Sequence, residues 1–230
     1  NGKVFWDSSW HLRRQYDPQG IRWAADYDCR RPRLIQFFEA QNVRLENLSL
    51  YRSGFWTVHV CYSQDVVVHN VIVRNNEDGR GPSTDGIDID SSRKVLVEKA
   101  DITCNDDALC IKAGRDSDGL RVARPTEDVV IRDCIVRDAA AGVTFGSETS
   151  GGFKNVKISG IKVYHPTPVG ILFKSAQTRG GTISGVEISD MFMQDVAVVM
   201  RVNLNWYPAY SYAKIPETIK DYPDYWKLLA

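Results

Sequence analysis

The chain has no net charge to offer: 29 basic residues balance 29 acidic ones. No overall field draws it to nucleic acid or to an anionic membrane, and neither is expected as a partner. It has no apolar run long enough to cross a bilayer. It has no stretch of helical periodicity of the kind that crosses over a sheet. Asn-Gly hairpin signals are missing between its apolar segments, which argues against an antiparallel sandwich. Its five cysteines, Cys29, Cys61, Cys104, Cys110 and Cys134, are odd in number and fit no zinc or redox spacing. A disulfide is permitted by that count but not implied, and no metal or other cofactor is expected. A signal peptide is also missing from the abrupt start at Asn1, which is compatible with a fragment of a longer chain.

What the chain does have is a repeat. Segments 43–50, 66–73, 95–102, 129–136, 156–163 and 186–193 are apolar at positions one, three, six and eight. The step from three to six breaks the two-residue alternation of a strand, so each segment reads as two short strands joined by a corner. The corners fall at Asn47, Asn70, Lys99, Asp133, Gly160 and Asp190, mostly residue types that tolerate left-handed backbone angles. A second set of strands interleaves with the first, marked by Ile35/Phe37, Val58/Val60, Ile87/Ile89, Leu109/Ile111, Val143/Phe145, Ile171/Phe173 and Val198/Met200. The spacing between these pairs varies from 22 to 34 residues, but the order of elements never changes. The economical structure is all-β: a single-stranded, right-handed parallel β-helix with inward ladders of Val, Ile and Leu. Cys134 falls on such a ladder between Ala100 and Ile161 and reads as core. The 230 residues are enough for one domain. Residues 1–32 read as an insertion-rich early coil, 33–201 as regular coils, and 202–230 as an aromatic tail with a short terminal helix near 223–229. Recognisable caps at the ends of the solenoid are not evident, again compatible with a fragment. The tail aromatics are expected to pack on the flank, with sugar stacking as a second possibility.

The repeat gathers carboxylates. Asp85 and Asp107 each stand two residues before the first apolar member of consecutive coils, each followed by a small residue, Gly86 or Ala108. Stacked strands lie about 4.7–4.9 Å apart, so the two side chains become neighbours with Asp106 beside them. Strict alternation would aim this position inward; the expectation is that the turn redirects it. Three clustered carboxylates repel, and one retains its proton with a raised pKa. One protonated acid and ionised partners holding water are what inverting glycoside hydrolysis requires. A calcium site built from Asp85, Asp88, Asp90 and Asp107 is an alternative, and a plain Asp-rich turn is another. Counting along the same strands places Lys112, Lys174 and Arg201 in one basic row suited to carboxylates. Trp56 and His59, on the coil before Asp85, are candidate subsite walls, with a plain structural hydrogen bond slightly favoured for His59. Glu148 reads as a turn residue, with entry into the cleft as the second possibility.

Four ordered blocks carry a resemblance: Ser83-Thr84-Asp85-Gly86-Ile87-Asp88-Ile89; Asn105-Asp106-Asp107-Ala108-Leu109-Cys110-Ile111-Lys112; Gly142-Val143-Thr144-Phe145-Gly146-Ser147-Glu148; and Gly170-Ile171-Leu172-Phe173-Lys174-Ser175. From about Pro32 to Arg201 the chain resembles glycoside hydrolase family 28, the polygalacturonase and rhamnogalacturonase family. The resemblance implies a parallel β-helix that hydrolyses pectin backbones with inversion and without a metal. It implies Asp106 as the general acid and Asp85 with Asp107 as the groups that orient water, although register alone puts Asp107, not Asp106, on the stack. Two departures stand out. The family's Gly-His-Gly block reads Ala140-Ala141-Gly142 here, and its Arg-Ile-Lys block reads Leu172-Phe173-Lys174. An Arg–carboxylate fork is not replaced by leucine. Rhamnogalacturonan-cleaving relatives look similar in lacking both groups, and Leu172 would give rhamnose an apolar wall. The expected function is therefore cleavage of galacturonosidic bonds in a pectic polysaccharide or oligosaccharide, with a lean to rhamnogalacturonan over homogalacturonan. A secreted or periplasmic location follows from that substrate, and a monomer is expected. The rivals are a non-catalytic carbohydrate-binding β-helix, a calcium-dependent pectate lyase, and a family member that has lost activity.

Overall fold

The computed structural model describes residues 1–230. Every strand pairing is parallel, and the strands fall into two sheets, one of seven and one of ten. The seven-stranded sheet consists of Ile35–Phe38, Val58–Cys61, Ile87–Asp90, Asp107–Lys112, Ala141–Phe145, Val169–Lys174 and Val198–Asn203, each paired with the next. Strands of the other sheet lie between successive members, so the chain winds as a parallel β-helix. Alternation does the sorting. In the Ile87–Asp90 strand, Ile87 and Ile89 enter the bore while Asp88 and Asp90 stand on the opposite face. One continuous cluster of 31 buried apolar residues, Cys134 among them, fills that bore.

All six corners have positive φ, between 50° and 66°. The left-handed residue bends the strand while its neighbours keep their pairing, and the Asn70 amide donates to Asn47 Oδ1 on the next corner at 2.7 Å. Lys99 is the costly member, because only Gly, Asn and Asp visit this conformation readily. A second left-handed ladder runs through Asn42, Asp65, Lys94, Asp128, Asn155 and Gly185, each one residue ahead of a repeat segment. It lies outside the apolar pattern, so periodicity does not reveal it.

Residues 1–32 are not an early coil of the solenoid. They form an α-helix, Lys3–Tyr16, followed by two short 3₁₀ turns and the short helix Ala25–Asp28. The buried positions of the first helix are Trp6 and Ser9, with Arg13 and Tyr16 half-buried farther along the same face. Half of that face is polar, which hides its period from a hydrophobicity pattern. Trp6 Nε1 donates to Ser53 O at 2.7 Å, and Trp10 Nε1 to Arg80 O at 2.9 Å. A side chain at Gly81 would meet both the Trp6 indole and Thr84 at 2.6 Å, so only glycine lets the helix dock there.

The tail divides its aromatics between two roles. It leaves the last coil, turns through Pro208–Ser211 and ends in a 3₁₀ helix, Asp224–Leu228. Trp226 is buried against Trp23, Ile21 and Ala24 of the N-terminal segment rather than against the solenoid flank. Trp23 Nε1 donates to Lys214 O at 3.0 Å, joining the two ends of the chain.

Candidate active site

The outer face of the seven-stranded sheet floors a cavity of about 1040 Å³. The N-terminal segment walls one side through Arg13, Asp26 and Tyr27, and the tail contributes Trp206, Tyr207 and Tyr210. Asp85, Asp106 and Asp107 all line it.

The register expected from sequence holds at the acids. Ile87 pairs with Leu109, and Gly86 N donates to Asp107 O at 2.9 Å, so Asp85 and Asp107 occupy the same position on consecutive coils. Their nearest carboxylate oxygens lie within 4.8 Å of each other. The corner is built from below. The Asn75 amide donates to Thr57 Oγ1 at 2.7 Å and to Thr84 O at 3.0 Å, while Asn75 Oδ1 accepts from Ser53 N at 3.1 Å. Thr84 Oγ1 donates to Gly81 O at 2.6 Å. This buried lattice fixes the backbone entering Asp85, and the turn directs the side chain into the cavity. A Cβ on Gly86 would stand 2.4 Å from Ala108 O, so the close approach of the two coils at the acids depends on glycine. Asp106 Oδ1 accepts from Asp107 N at 3.0 Å, turning the chain so that adjacent aspartates both reach the cavity.

Two lysines organise the charges. Lys174 Nζ lies 2.7 Å from Asp107 Oδ2. Burial works against the lysine's charge, but Asp107 and then Asp106 outweigh it and raise its pKa. Lys112 Nζ sits 3.2 Å from Glu148 Oε2, 3.6 Å from Asp88 Oδ1 and 3.8 Å from Asp85 Oδ2. Burial opposes its charge too, and Cys110, Glu148, Asp88 and Asp85 prevail, so it stays an ammonium. Burial, then Asp88 and Asp106, push Asp85 well above the usual carboxylate range. Asp106 is raised by burial and by Asp107, with Lys174 and Lys112 opposing. Burial pushes Asp88 up to about 7 against the pull of Lys112. Glu148 is the exception. Its burial is outweighed by Lys112, Arg179 and Arg115, which hold it well below the ordinary range. Five carboxyls thus crowd two lysines, and the cluster keeps at least one proton on Asp85, Asp88 or Asp106.

This geometry disfavours the calcium reading. A fixed ammonium already stands by Asp85, Asp88 and Glu148. Asp90 lines the cavity with its oxygens already engaged: it accepts from Ser91 Oγ at 3.0 Å and from Gly114 N at 3.2 Å, and it faces His59 Nε2 at 3.3 Å.

The remaining sequence candidates divide. Lys112 and Lys174 line the cavity. Arg201 does not. Ile171 pairs with Met200 rather than Val198: the last two strands begin level, Val169 against Val198, and the apolar alternation Val198, Met200, Val202 allows the pair to be matched two residues too early. Arg201 therefore aligns with Leu172, and it is exposed with no ion pair. Trp56 lines the cavity, stacked on Phe55 at 5.1 Å, with Lys112 and Arg33 at 4.6 and 4.7 Å from its ring centre. His59 lies behind Trp56, buried, with its ring 4.9 Å from the indole and its Nδ1 3.1 Å from Gln36 Nε2. Burial lowers its pKa against the opposing pull of Asp90. It positions Trp56 rather than walling a subsite. Leu172 is also no wall. It is buried with Ala141 and Val169 in a small apolar cluster covered by Trp206. Ala141 pairs with Asp107, so the position of the missing histidine is filled by that cluster.

Two groups escape the sequence reading, and a third, Glu148, takes the less favoured of its two readings. Glu148 is a buried partner of Lys112, not a turn residue on the surface, and Tyr210 OH donates to it at 3.3 Å. The tail residue Trp206 lies 4.9 Å from Lys174 Nζ. The arginines of the N-terminal segment converge from a region without any repeat, and only their density in sequence hints at a role.

Comparisons with known proteins bear on the family. The family model for glycosyl hydrolases family 28 matches residues 13–220. A probable polygalacturonase of Vitis vinifera is 32% identical over 166 residues, covering 71% of this chain and 33% of that protein. An endo-polygalacturonase of Pectobacterium parmentieri is 29% identical, covering 72% of this chain and 39% of its own length. Among solved structures, a hyperthermoactive exopolygalacturonase from Thermotoga maritima superposes with a TM-score of 0.72 at 32% identity, over 77% of this chain and 40% of that one. A polygalacturonase from Erwinia carotovora ssp. carotovora gives 0.68 at 26% identity, over 76% and 44%. The chain spans between a third and two fifths of the curated relatives named here. With a matching model over most of its length and the acids in register on a parallel β-helix, the chain belongs to family 28 of the glycosyl hydrolases.

Proposed function

We propose that this protein hydrolyses galacturonosidic bonds of a pectic chain with inversion at the anomeric carbon. The observation that carries the reading is the meeting of Asp85, Asp106 and Asp107 on a cavity floor beside Lys112 and Lys174. Asp106 has no lysine in ion-pair contact and a pKa raised by burial and by Asp107, which suits the group that gives its proton to the leaving glycosidic oxygen. Asp107, paired with Lys174, is suited to hold water as an anion, with Asp85 beside it in the same row as the second oxygen donor on that water. Water then supplies hydroxyl to the anomeric carbon, and its proton passes to the carboxylate pair. The missing histidine does not remove any of these three groups.

Homogalacturonan is the better-supported backbone. The apolar wall that would favour rhamnose lies buried under Trp206. The cavity is lined by eight arginines and lysines, suited to a chain with a carboxylate on every sugar. The relatives above are named polygalacturonases. A polymeric substrate of this kind supports a site of action outside the cytoplasm. Incubation with polygalacturonate and with rhamnogalacturonan, followed by reducing-end assay and product sizing, tests the reading. Cleavage of polygalacturonate with initial release of the inverted anomer by NMR is expected. Cleavage of rhamnogalacturonan alone would overturn the backbone assignment, and cleavage of neither would overturn the hydrolase.

A further inference from the structure

The cations around the cavity are not equivalent. Lys112 and Lys174 are committed to the acids on the floor. Arg13, Arg22 and Arg31 converge on a single carboxylate, Asp26, at 3.4, 3.3 and 2.8 Å. Arg115 faces Asp116 at 3.4 Å and donates to Tyr210 O at 3.0 Å. Arg33 has no carboxylate within ion-pair distance and donates no hydrogen bond; its Nε is buried without a partner. Its neighbour Arg30 is also unpaired but exposed. Arg13 and Arg31 also carry a buried Nε without a partner, but their terminal nitrogens are spent on Asp26, whereas the Arg33 fork meets no anion at all.

Arg33 is nevertheless held in place. Its guanidinium carbon lies 5.3 Å from the Phe55 ring centre and 4.7 Å from that of Trp56, and these two rings stack on each other at an interplanar angle of 13°. Stacking on aromatic faces orients the planar fork without using its N–H donors. The backbone sets its location. Ile35, Val58, Ile87 and Leu109 are register partners, so Arg33, Trp56, Asp85 and Asp107 form one row up the sheet. The hydrogen bonds Leu34 N to Trp56 O, Thr57 N to Asp85 O and Gly86 N to Asp107 O carry that row through the corner. Arg33 therefore stands two rungs from Asp85, roughly 9–10 Å along the stack. Lys174 lies on the other side of the acids, on the coil after Ala141.

We infer that Arg33 is a uronate-binding group, receiving the carboxylate of a sugar beyond the cleaved bond, on the side of the acids opposite Lys174. The inference rests on the galacturonide reading above and deepens it. It also accounts for how a chain with leucine at position 172 reads a polyanion: the guanidinium comes from the first coil, not from the sixth. A sugar carboxylate arriving there would meet a donor fork that gives up no internal ion pair to bind it.

Steady-state kinetics of the protein and its Arg33→Gln and Arg33→Lys variants test this, with trigalacturonate and its fully methyl-esterified form as substrates and circular dichroism to check folding. Wild type is expected to prefer the free acid. In Arg33→Gln that preference should fall about ten- to hundredfold, chiefly through KM, as expected for losing charge-assisted hydrogen bonds made in ground state and transition state alike. Arg33→Lys should recover only part of it, because the ammonium keeps the charge and loses the fork. A preference unchanged in folded Arg33→Gln would overturn the inference while leaving the hydrolase reading intact. Equal full recovery by lysine would overturn the bidentate role. Failure of wild type to cleave either trimer would overturn the galacturonide reading, and this inference with it.

Discussion

The floor of the cavity and its walls are built on opposite principles. On the floor, backbone pairing does the positioning: Asp85 and Asp107 meet because two coils share a register. In the walls, side chains do it: the N-terminal segment and the tail are held by Trp226 on Trp23, by Trp6 on Ser53 O and by Arg31 on Asp26. The floor is a repeating element whose parts predict one another. The walls occur once. The difference separates chemistry, which needs acids held to a fraction of an ångström, from recognition, which can be changed by altering segments the sheet does not constrain.

Substitutions can break or sharpen that division. The largest effect is expected on the floor. Asp106→Asn and Asp107→Asn should each lower kcat by about a thousandfold or more without loss of the fold, measured by reducing-end release and circular dichroism. Near wild-type rates in both would dissolve the distinction, since the chemistry would then lie elsewhere. Next comes the anchor of the walls. Trp226→Ala removes a buried indole and should cost about 3 kcal/mol of local stability. Hydrogen exchange should rise in 13–33 and 206–228 while the floor strands stay protected; if both regions loosen together, the walls are not a separate unit.

A smaller effect tests how the floor titrates. The Lys174 ammonium opposes the rise in Asp106 pKa that burial and Asp107 cause. In Lys174→Met that opposition disappears, so Asp106 keeps its proton to higher pH. The alkaline limb of the kcat/KM profile should move upward by about one pH unit, even as the rate itself falls. A downward shift would remove Asp106 from the role of acid. The smallest effect belongs outside both regions. Arg201→Ala alters an exposed, unpaired side chain and should change stability by less than about 0.5 kcal/mol and leave hydrolysis as it was. A large loss would mean that the floor extends one coil farther than its register suggests.

The same division explains what the amino-acid sequence discloses. Apolar periodicity locates the corners because a left-handed residue must interrupt each strand, and Asn47, Asn70, Asp133, Gly160 and Asp190 are suited to it. Register turns Asp85 and Asp107, 22 residues apart, into neighbours, so the acids are legible before any coordinates exist. The counting fails at Arg201, because Val198, Met200 and Val202 are all apolar and Ile171 aligns with the second of them, not the first. It is blind to Glu148, whose burial depends on Lys112 and Tyr210 arriving from elsewhere. It cannot find Trp23 with Lys214, since a contact spanning 191 residues leaves no local trace. Arg33 is an intermediate case: its place in the row is readable, but its lack of an ion-pair partner is not.

The buckle between the tail and the N-terminal segment has a consequence for the length of the molecule. A solenoid can usually gain or lose a turn at little cost, because each turn touches only its neighbours. Here the tail departs from the seventh strand of the floor and fastens on Ile21, Trp23 and Ala24 of the segment that leads into the first, so its length must match the number of coils it straps. The tail acts as a ruler. Duplicating a coil could leave a well-packed bore and intact corners, yet the strap would no longer reach its anchor, and the cavity would lose a wall although no lining residue had been altered.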